Sequence, residues 1–490
     1  MWSYIPMPLT ISQKWVGNFF FRASYAMVGV TLMAKLFGTT GIRKVYGTEF
    51  DLEMALNLGK ALGTYLTGGN AVLAEDVRTT SRMVADSLSA GLLSTGTIVT
   101  RAGMLPTPTL AFTTMTRGFD VGVMITASHN PPEYTGVKFW SKNSMGYTPE
   151  EESTIEGIYS SHKFRVAAWD QLGSEKTVET CVAEHIEAVI SRCDAEAIRR
   201  RAAKVIIDPG NGASCVLTPY LLGNLGCKVI TVNGQPDGHF PGRVSEPDDE
   251  NLGDLKRMVK ETGADLGVAH DGDSDRVVFV TEAGQVVRGD RTIALLAAEA
   301  LKASTNKTVV TTVDSSRVLD ETVERAGGRT IRTPVGDIQV AMKVRETGAL
   351  LGGEACGVFI FPEFHLAPEP FLAACKVLEL IARKNQSFGE IIRAIPEYPL
   401  SKTKLDCRND LKTHVMAALR ESLPAAFTNV ADVVTVDGLG ISLKQGWVLV
   451  RPSGTEPVIR ITCEGPTRQR VQTIMRKAKA VVTAEIQTAG

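Results

Sequence analysis

Thr126-Ala127-Ser128-His129-Asn130-Pro131-Pro132 follows the apolar run Val121-Gly122-Val123-Met124-Ile125. The run has the branched, continuous composition of a buried strand. The two prolines prevent a smooth continuation of strand or helix. Ser128 is therefore expected on a sharp turn at a strand end, with its hydroxyl toward a cleft. A serine so presented is a candidate nucleophile. His129 is adjacent, and Lys138 lies ten residues on, in Tyr134-Thr135-Gly136-Val137-Lys138-Phe139. The plainer reading is a polar turn with an ordinary serine, and this stretch alone does not exclude it.

Outward from this turn, strand and helix patterns alternate. Helical spacing covers 51–66, Val72-Leu73-Ala74 reads as a strand, and Arg78-Thr79-Thr80-Ser81 as the cap of a helix over 81–94. A strand at 97–100 and a helix at 109–117 follow. This βαβα order predicts a mostly parallel, covered sheet. In such sheets ligands gather at the carboxyl ends of strands, where Ser128 falls. The pattern restarts after Trp169, with helices in 176–202, a strand at 205–208, a helix at 214–225, a strand at 228–232, a helix at 252–262 and a strand at 265–269. A third round has helices at 291–303, 316–326 and 338–346 and strands at 307–313 and 330–333. The three rounds read as a triplication without a letter-by-letter repeat. The last stretch, 397–490, reads as a smaller α+β unit with strand, helix, strand, strand and helix.

Three further stretches carry chemistry. Asp271-Gly272-Asp273-Ser274-Asp275-Arg276 alternates carboxylates, which in an extended loop point to one side. Three like charges repel unless a cation sits among them. Hard oxygen donors suit Mg²⁺. An EF-hand loop would also start Asp-x-Asp-x-Asp and would place Glu282 at its twelfth position. Its sixth position, however, is Arg276 rather than glycine, and strands flank it. Arg276 can help to hold a phosphate. Gly352-Gly353-Glu354-Ala355-Cys356-Gly357 presents a glutamate in a glycine-bounded loop, or else an N-terminal cap. Arg451-Pro452-Ser453-Gly454-Thr455-Glu456-Pro457 supplies hydroxyls and backbone N–H groups for an anion nest, with charge from Arg451 and Arg460.

In this order and at these separations, the four stretches resemble the α-D-phosphohexomutase family of phosphoglucomutases, phosphomannomutases and phosphoglucosamine mutases. The likeness runs from about Leu36 to the C-terminus. It implies an α/β fold with three similar domains, mixed and mostly parallel sheets, and a C-terminal α+β domain around a central cleft. The expected boundaries are 33–172 with the phosphoserine loop, 173–287 with the metal loop, 288–396 with the sugar loop and 397–490 with the phosphate loop. The resemblance implies a phosphoserine at Ser128, which would also ligate the metal with Asp271, Asp273 and Asp275. It brings Arg43, in the turn Phe37-Gly38-Thr39-Thr40-Gly41-Ile42-Arg43, to the cleft beside Lys138 and Arg276. His129 and Lys138 both remain candidates for proton transfer. Glu354, with Cys356 and Gly336, would bind sugar, and Arg451, Ser453, Gly454, Thr455 and Arg460 the distal phosphate. Cys356 stands where the family usually has serine, Val358 often where it has histidine, and Pro368-Glu369-Pro370 where an Asp-Gly pair is common.

The implied activity interconverts hexose 6-phosphate and hexose 1-phosphate through a hexose 1,6-bisphosphate. The wording of the 268–273 and 354–357 stretches resembles archaeal-type phosphoglucosamine mutases. Phosphoglucomutase or phosphomannomutase activity is the alternative, and a serine-dependent sugar phosphatase the rival chemistry.

With 490 residues and 44% apolar composition, the chain can form several domains with their own cores. A net charge of −1 argues against nucleic acid or an anionic membrane as the main partner, and the resemblance implies a small sugar phosphate. The eight cysteines form no CxxC pair and read as reduced residues of a cytoplasmic protein. Trp15 to Ala34 is apolar but carries Arg22, which is costly in a bilayer. Residues 1–32 are expected to be a disordered tail or mis-annotated extension ahead of Met33.

Overall fold

The computed structural model describes residues 36–38, 41–454 and 456–490. The expectations for 1–32 and Thr455 lie outside the described residues. Residues 36–490 form one compact unit with four sheets among the described residues. The first sheet runs, in spatial order, Ile42–Val45, Tyr134–Ser141, Val121–Ile125, Asn70–Glu75, Ile98–Met104 and Glu175–Thr177. The second runs Val286–Val287, Val277–Thr281, Leu266–His270, Lys204–Asp208 and Lys228–Thr231. The third runs Arg329–Thr333, Thr308–Thr312, Leu351–Glu354 and Val358–Ile360.

The triplication is visible in strand direction. Each of these three sheets has neighbouring parallel strands, four in the first and three in each of the others, and then an antiparallel return. The return follows Val121–Ile125 in the first sheet, Leu266–His270 in the second and Leu351–Glu354 in the third. The Ser128 turn, the Asp271–Asp275 loop and the Glu354 loop thus occupy the same topological position. Each outgoing strand is wholly buried, as a strand covered on both faces must be.

The last unit is more regular than its sequence suggests. Leu400–Asp406, Val458–Glu464, Gly446–Pro452, Leu439–Leu443 and Val430–Val434 form one five-stranded sheet, antiparallel throughout. Helices Lys412–Ala425 and Arg468–Ala489 pack with it on one core. Leu439, Ile441 and Leu443 are buried while the residues between them are less so, giving the period-two pattern of a one-sided sheet.

Two other expectations change. The second and third units share a core in addition to a smaller apolar cluster in each: the shared cluster runs from Val205 and Leu221 to Val309 and Phe371. Helix Pro370–Lys384 joins them, since nearly all its apolar side chains are buried. The predicted helix 214–225 is a 3-10 turn, Ala213–Val216, followed by Thr218–Asn224, with Pro219 near the start of the second piece.

A buried polar cluster also links the units. His185 Nε2 and His365 Nε2 lie 3.0 and 2.8 Å from Glu369 Oε2. Burial would raise the Glu369 carboxyl, but the two histidines outweigh it and hold it down at about 2. His365 Nδ1 accepts from the Ala367 N–H, and Glu369 Oε1 caps the helix through the Leu372 N–H.

Gly136 sets how closely the Ser128 turn approaches the edge strand. It pairs with Arg43, and a Cβ there would lie 2.2 Å from the Ile42 carbonyl and 2.6 Å from that of Thr126. Gly136→Ala is expected to destabilise the first unit by about 1–3 kcal/mol through overpacking. Urea unfolding should show its transition at lower denaturant.

Candidate active site

The backbone of the Ser128 turn is strained and then clamped. Ser128 sits at φ 51°, in the left-handed region that costs a non-glycine residue about 1–2 kcal/mol. Arg78 holds it there. Its Nη2 donates to the carbonyls of Ser128 and Asn130 at 2.8 and 2.6 Å, and its Nη1 to those of Pro131 and Tyr134 at 2.6 and 3.0 Å. Nε donates to Asp76 at 3.1 Å, and Asp76 also accepts from the hydroxyls of Ser81 and Thr126. Arg78 is therefore not part of a helix cap, and Thr80, at the cap position, makes no side-chain cap bond.

The Ser128 hydroxyl is fully buried and donates to Asp271 Oδ2 at 2.9 Å. His129 Nδ1 is 3.4 Å from the same hydroxyl and 3.5 Å from Glu246. Burial drives the imidazole pKa far down, and the charges of Arg276 and Arg43 push it the same way.

Asp271, Asp273 and Asp275 converge, though not through an extended loop. Ser274 adopts φ 61°, so the segment is a turn, and it brings one ligand atom of each carboxylate to within 4.8 Å of the others. Nor is a bound cation the only relief from their repulsion. Lys138 Nζ donates to Asp273 Oδ2 at 2.7 Å and Asp275 Oδ2 at 2.8 Å, all buried. Burial alone would lower the Lys138 pKa; the two carboxylates outweigh it and hold it above the ordinary lysine range. Burial would likewise raise Asp273, but Lys138 and the Thr107 hydroxyl, 2.7 Å away, bring it well below the usual carboxylate range. Asp271, which Lys138 does not touch, is pushed up by burial and by the charges of Asp275 and Asp273. Asp273 Oδ1 and Asp275 Oδ1 are buried with no hydrogen-bond partner among the described residues; Asp275 Oδ1 has only an ion-pair contact with Arg276 Nε at 3.8 Å. Two orphaned anionic oxygens beside a third carboxylate form a donor set fit for a divalent cation.

Arg276 is less free than its position in the sequence suggests. Its Nη1 is 2.8 Å from both carboxylate oxygens of Glu246. Its Nε is buried, makes no hydrogen bond among the described residues, and lies 3.8 Å from Asp275 Oδ1. Arg43 donates to the Asn130 side chain at 3.3 Å and feels the charges of Asp273, Asp275 and Asp337. The structure thus brings together Ser128, His129, Lys138, Arg43, Arg276 and the three aspartates.

The sugar-loop residues gather in the third unit. Glu354 accepts from the Gly336 N–H at 2.7 Å, and the Cys356 thiol lies 3.4 Å from its other oxygen. Burial, then Asp337 and Asp314, raise the Glu354 carboxyl to about 8. Burial also raises the Cys356 thiol well above its ordinary value.

In the last unit, Arg451 and Arg460 are cross-strand partners. Arg451 pairs with Asp437 at 2.7 Å, while Arg460 is tied to Glu456 at 2.5 Å and is half exposed. Ser453 Oγ accepts from the Glu456 N–H at 3.1 Å, beside Gly454. Sequence reasoning missed Arg78, Asp76, Glu246 and Asp437. The only available signal was Asp76-x-Arg78 directly after a strand, which reads equally well as a surface turn.

Known proteins show the same organisation. The descriptions "Phosphoglucomutase/phosphomannomutase, alpha/beta/alpha domain" I, II and III match residues 34–166, 183–284 and 288–398, and the corresponding C-terminal domain matches 409–480. A probable phosphoglucosamine mutase of Methanopyrus kandleri is 42% identical over 90% of this chain and 96% of its own. A phosphoglucomutase/phosphomannomutase of Thermococcus kodakarensis is 41% identical over 90% and 96%. A solved phosphoglucomutase/phosphomannomutase family protein of Burkholderia thailandensis superposes with a TM-score of 0.84 at 27% identity, covering 93% of this chain and 99% of that one. The chain belongs to the phosphoglucomutase/phosphomannomutase family and is a phosphohexomutase, an isomerase. No described helix is long and apolar enough to cross a membrane.

Two measurements check the geometry. Arg78→Ala leaves Asp76 buried without its cation and should cost about 3–5 kcal/mol. Arg78→Lys should not rescue it, because a point charge cannot reach four carbonyls; thermal denaturation reads both. Glu354 has a folded pKa raised from about 4.5 to about 8. The folded state therefore binds the extra proton, and stability falls as pH rises through that window. Glu354→Gln should gain stability over the unsubstituted protein between those pH values and hold a constant advantage above them.

Proposed function

We propose that the protein interconverts glucosamine 6-phosphate and glucosamine 1-phosphate through a phosphorylated Ser128. The observation that carries this is the Ser128 hydroxyl at 2.9 Å from Asp271, beside two orphaned carboxylate oxygens and the Lys138 clasp. One fixed nucleophile cannot reach both O1 and O6 of a stationary sugar. Phospho-Ser128 therefore gives its phosphoryl group to the free hydroxyl, forming a 1,6-bisphosphate, which turns end for end and returns the other phosphoryl group to Ser128. At each transfer one P–O bond forms to the acceptor oxygen and one breaks to the donor oxygen.

The residues divide these tasks. Asp271, Asp273 and Asp275, with the Ser128 oxygen, would hold Mg²⁺, which when bound neutralises charge on the transferring phosphoryl oxygens. Lys138 and Arg43 add fixed positive charge. Lys138 is committed to two carboxylates, so His129, beside the serine hydroxyl, is the better candidate for proton transfer. Glu354, with Gly336 and Cys356, would engage sugar hydroxyls. Arg451, Ser453, Gly454, Thr455 and Arg460 would take the phosphate not being transferred. Arg276, braced by Glu246, would meet the phosphate on Ser128. In the partition 33–172, 173–287, 288–396 and 397–490, each domain contributes one of these parts.

The amino sugar is favoured by charge. The charges of Asp337 and Asp314 act on Glu354 and disfavour its ionised form, and an ammonium group at C2 would offset that repulsion. The relatives named probable phosphoglucosamine mutase agree with this reading. Glucose or mannose phosphate is the second reading, supported by the Thermococcus kodakarensis relative.

The test incubates the protein with glucosamine 6-phosphate, Mg²⁺ and a hexose 1,6-bisphosphate, with glucose and mannose phosphates in parallel. Isomerisation without release of inorganic phosphate is expected; release without isomer would establish a phosphatase instead. Ser128→Ala should lose at least about 10³-fold in rate and all phosphate labelling of the protein. Chelation with EDTA should abolish turnover, and Mg²⁺ should restore it.

A further inference from the structure

Asp437 has no role in the reading above, yet it joins two parts of it. It stands in the turn between Val430–Val434 and Leu439–Leu443, in the C-terminal domain. Its Oδ2 forms an ion pair with Arg451 Nη2 at 2.7 Å and accepts from the Val335 backbone N–H at 3.0 Å. Val335 belongs to the third domain, one residue before Gly336, whose own N–H holds Glu354 at 2.7 Å. A single carboxylate oxygen therefore bridges the phosphate loop of one domain to the sugar loop of another.

The local backbone fixes this bridge. Gly438 adopts φ 84°, and a Cβ there would lie 2.3 Å from the Val450 carbonyl and 2.8 Å from the Arg451 side chain. The turn is pressed against the strand that carries Arg451, so Asp437 has little freedom to leave it. Arg451 Nε is buried and without a partner among the described residues. The guanidinium is thus anchored at one nitrogen, with another donor unused. An oriented cation with a spare buried donor is suited to an incoming phosphate oxygen.

We propose that Asp437 is a positioning residue that couples closure of the C-terminal domain on the sugar loop to orientation of Arg451 for the distal phosphate. This rests on the mutase reading. When the carboxylate meets the Val335 N–H, Arg451 is aimed and the sugar loop is tied to the same atom. When the domain opens, that contact is lost and the grip on phosphate loosens. The bisphosphate needs both states: loosened to turn, held so as not to escape.

The test uses full-length Asp437→Ala and Asp437→Asn. One charge-assisted hydrogen bond corresponds to about tenfold in affinity, so Asp437→Ala should raise KM for hexose phosphate by about that factor. The loss in kcat with saturating 1,6-bisphosphate should be smaller. Bisphosphate released to solution per turnover should rise, making the variant more dependent on added bisphosphate. Asp437→Asn keeps an acceptor for Val335 but no charge for Arg451, and should fall between; it carries the comparison alone if the alanine variant does not fold. Unchanged KM and unchanged bisphosphate release overturn the proposal, as does a loss confined to kcat. If the unsubstituted protein isomerises no hexose phosphate, the functional reading fails instead. Small-angle scattering of the unsubstituted and Asp437→Ala proteins without substrate then still tests the bridge, and superimposable profiles overturn it.

Discussion

The arginine–carboxylate contact between Arg78 and Asp76 is what the site depends on. A serine in a left-handed conformation followed by two prolines would relax if its carbonyls were left to water. Arg78 places donors on four of those carbonyls from a buried position, and Asp76 supplies the charge that makes burial of the guanidinium tolerable. With the backbone over-determined in this way, strain can persist where the chemistry needs it. The Ser128 hydroxyl is then delivered to Asp271 across a domain boundary.

The carboxylate cluster shows how a protein can hold excess negative charge in its interior. Lys138 takes one oxygen from each of two aspartates and leaves the other oxygens without a hydrogen bond among the described residues. Asp271, outside its reach, is the carboxylate whose proton is held more tightly. The arrangement is neither a closed salt bridge nor an open acidic pocket. Its unfilled valence is directed at one point, which is the chemical sense of a binding site.

Much of this was legible in the sequence, for physical reasons that differ by element. The strands Val121–Ile125 and Leu266–His270 were readable because burial on both faces demands uninterrupted apolar runs. The aspartate loop was readable because three alternating carboxylates have few innocent explanations. The C-terminal sheet was less so: Val430–Val434 is largely exposed and gives no clear alternation. The turn at Ser274 was hidden because only the backbone dihedral, not the residue type, announces it. Arg78, Glu246 and Asp437 were missed because decisive partners of theirs lie 30 or more residues away, among them main-chain carbonyls and amides, which the sequence does not distinguish.

The three return loops lie at matching places in three sheets, and each carries a different ingredient. On the proposed reading, no stretch of the polypeptide shorter than nearly the whole brings these ingredients together. On that reading, a nascent chain would stay chemically silent through the first and second units. An interrupted translation product likewise offers a shielded hydroxyl without the partners that would activate it. Splitting the machinery among repeated modules thus acts as a safeguard, deferring reactivity until synthesis and assembly are complete.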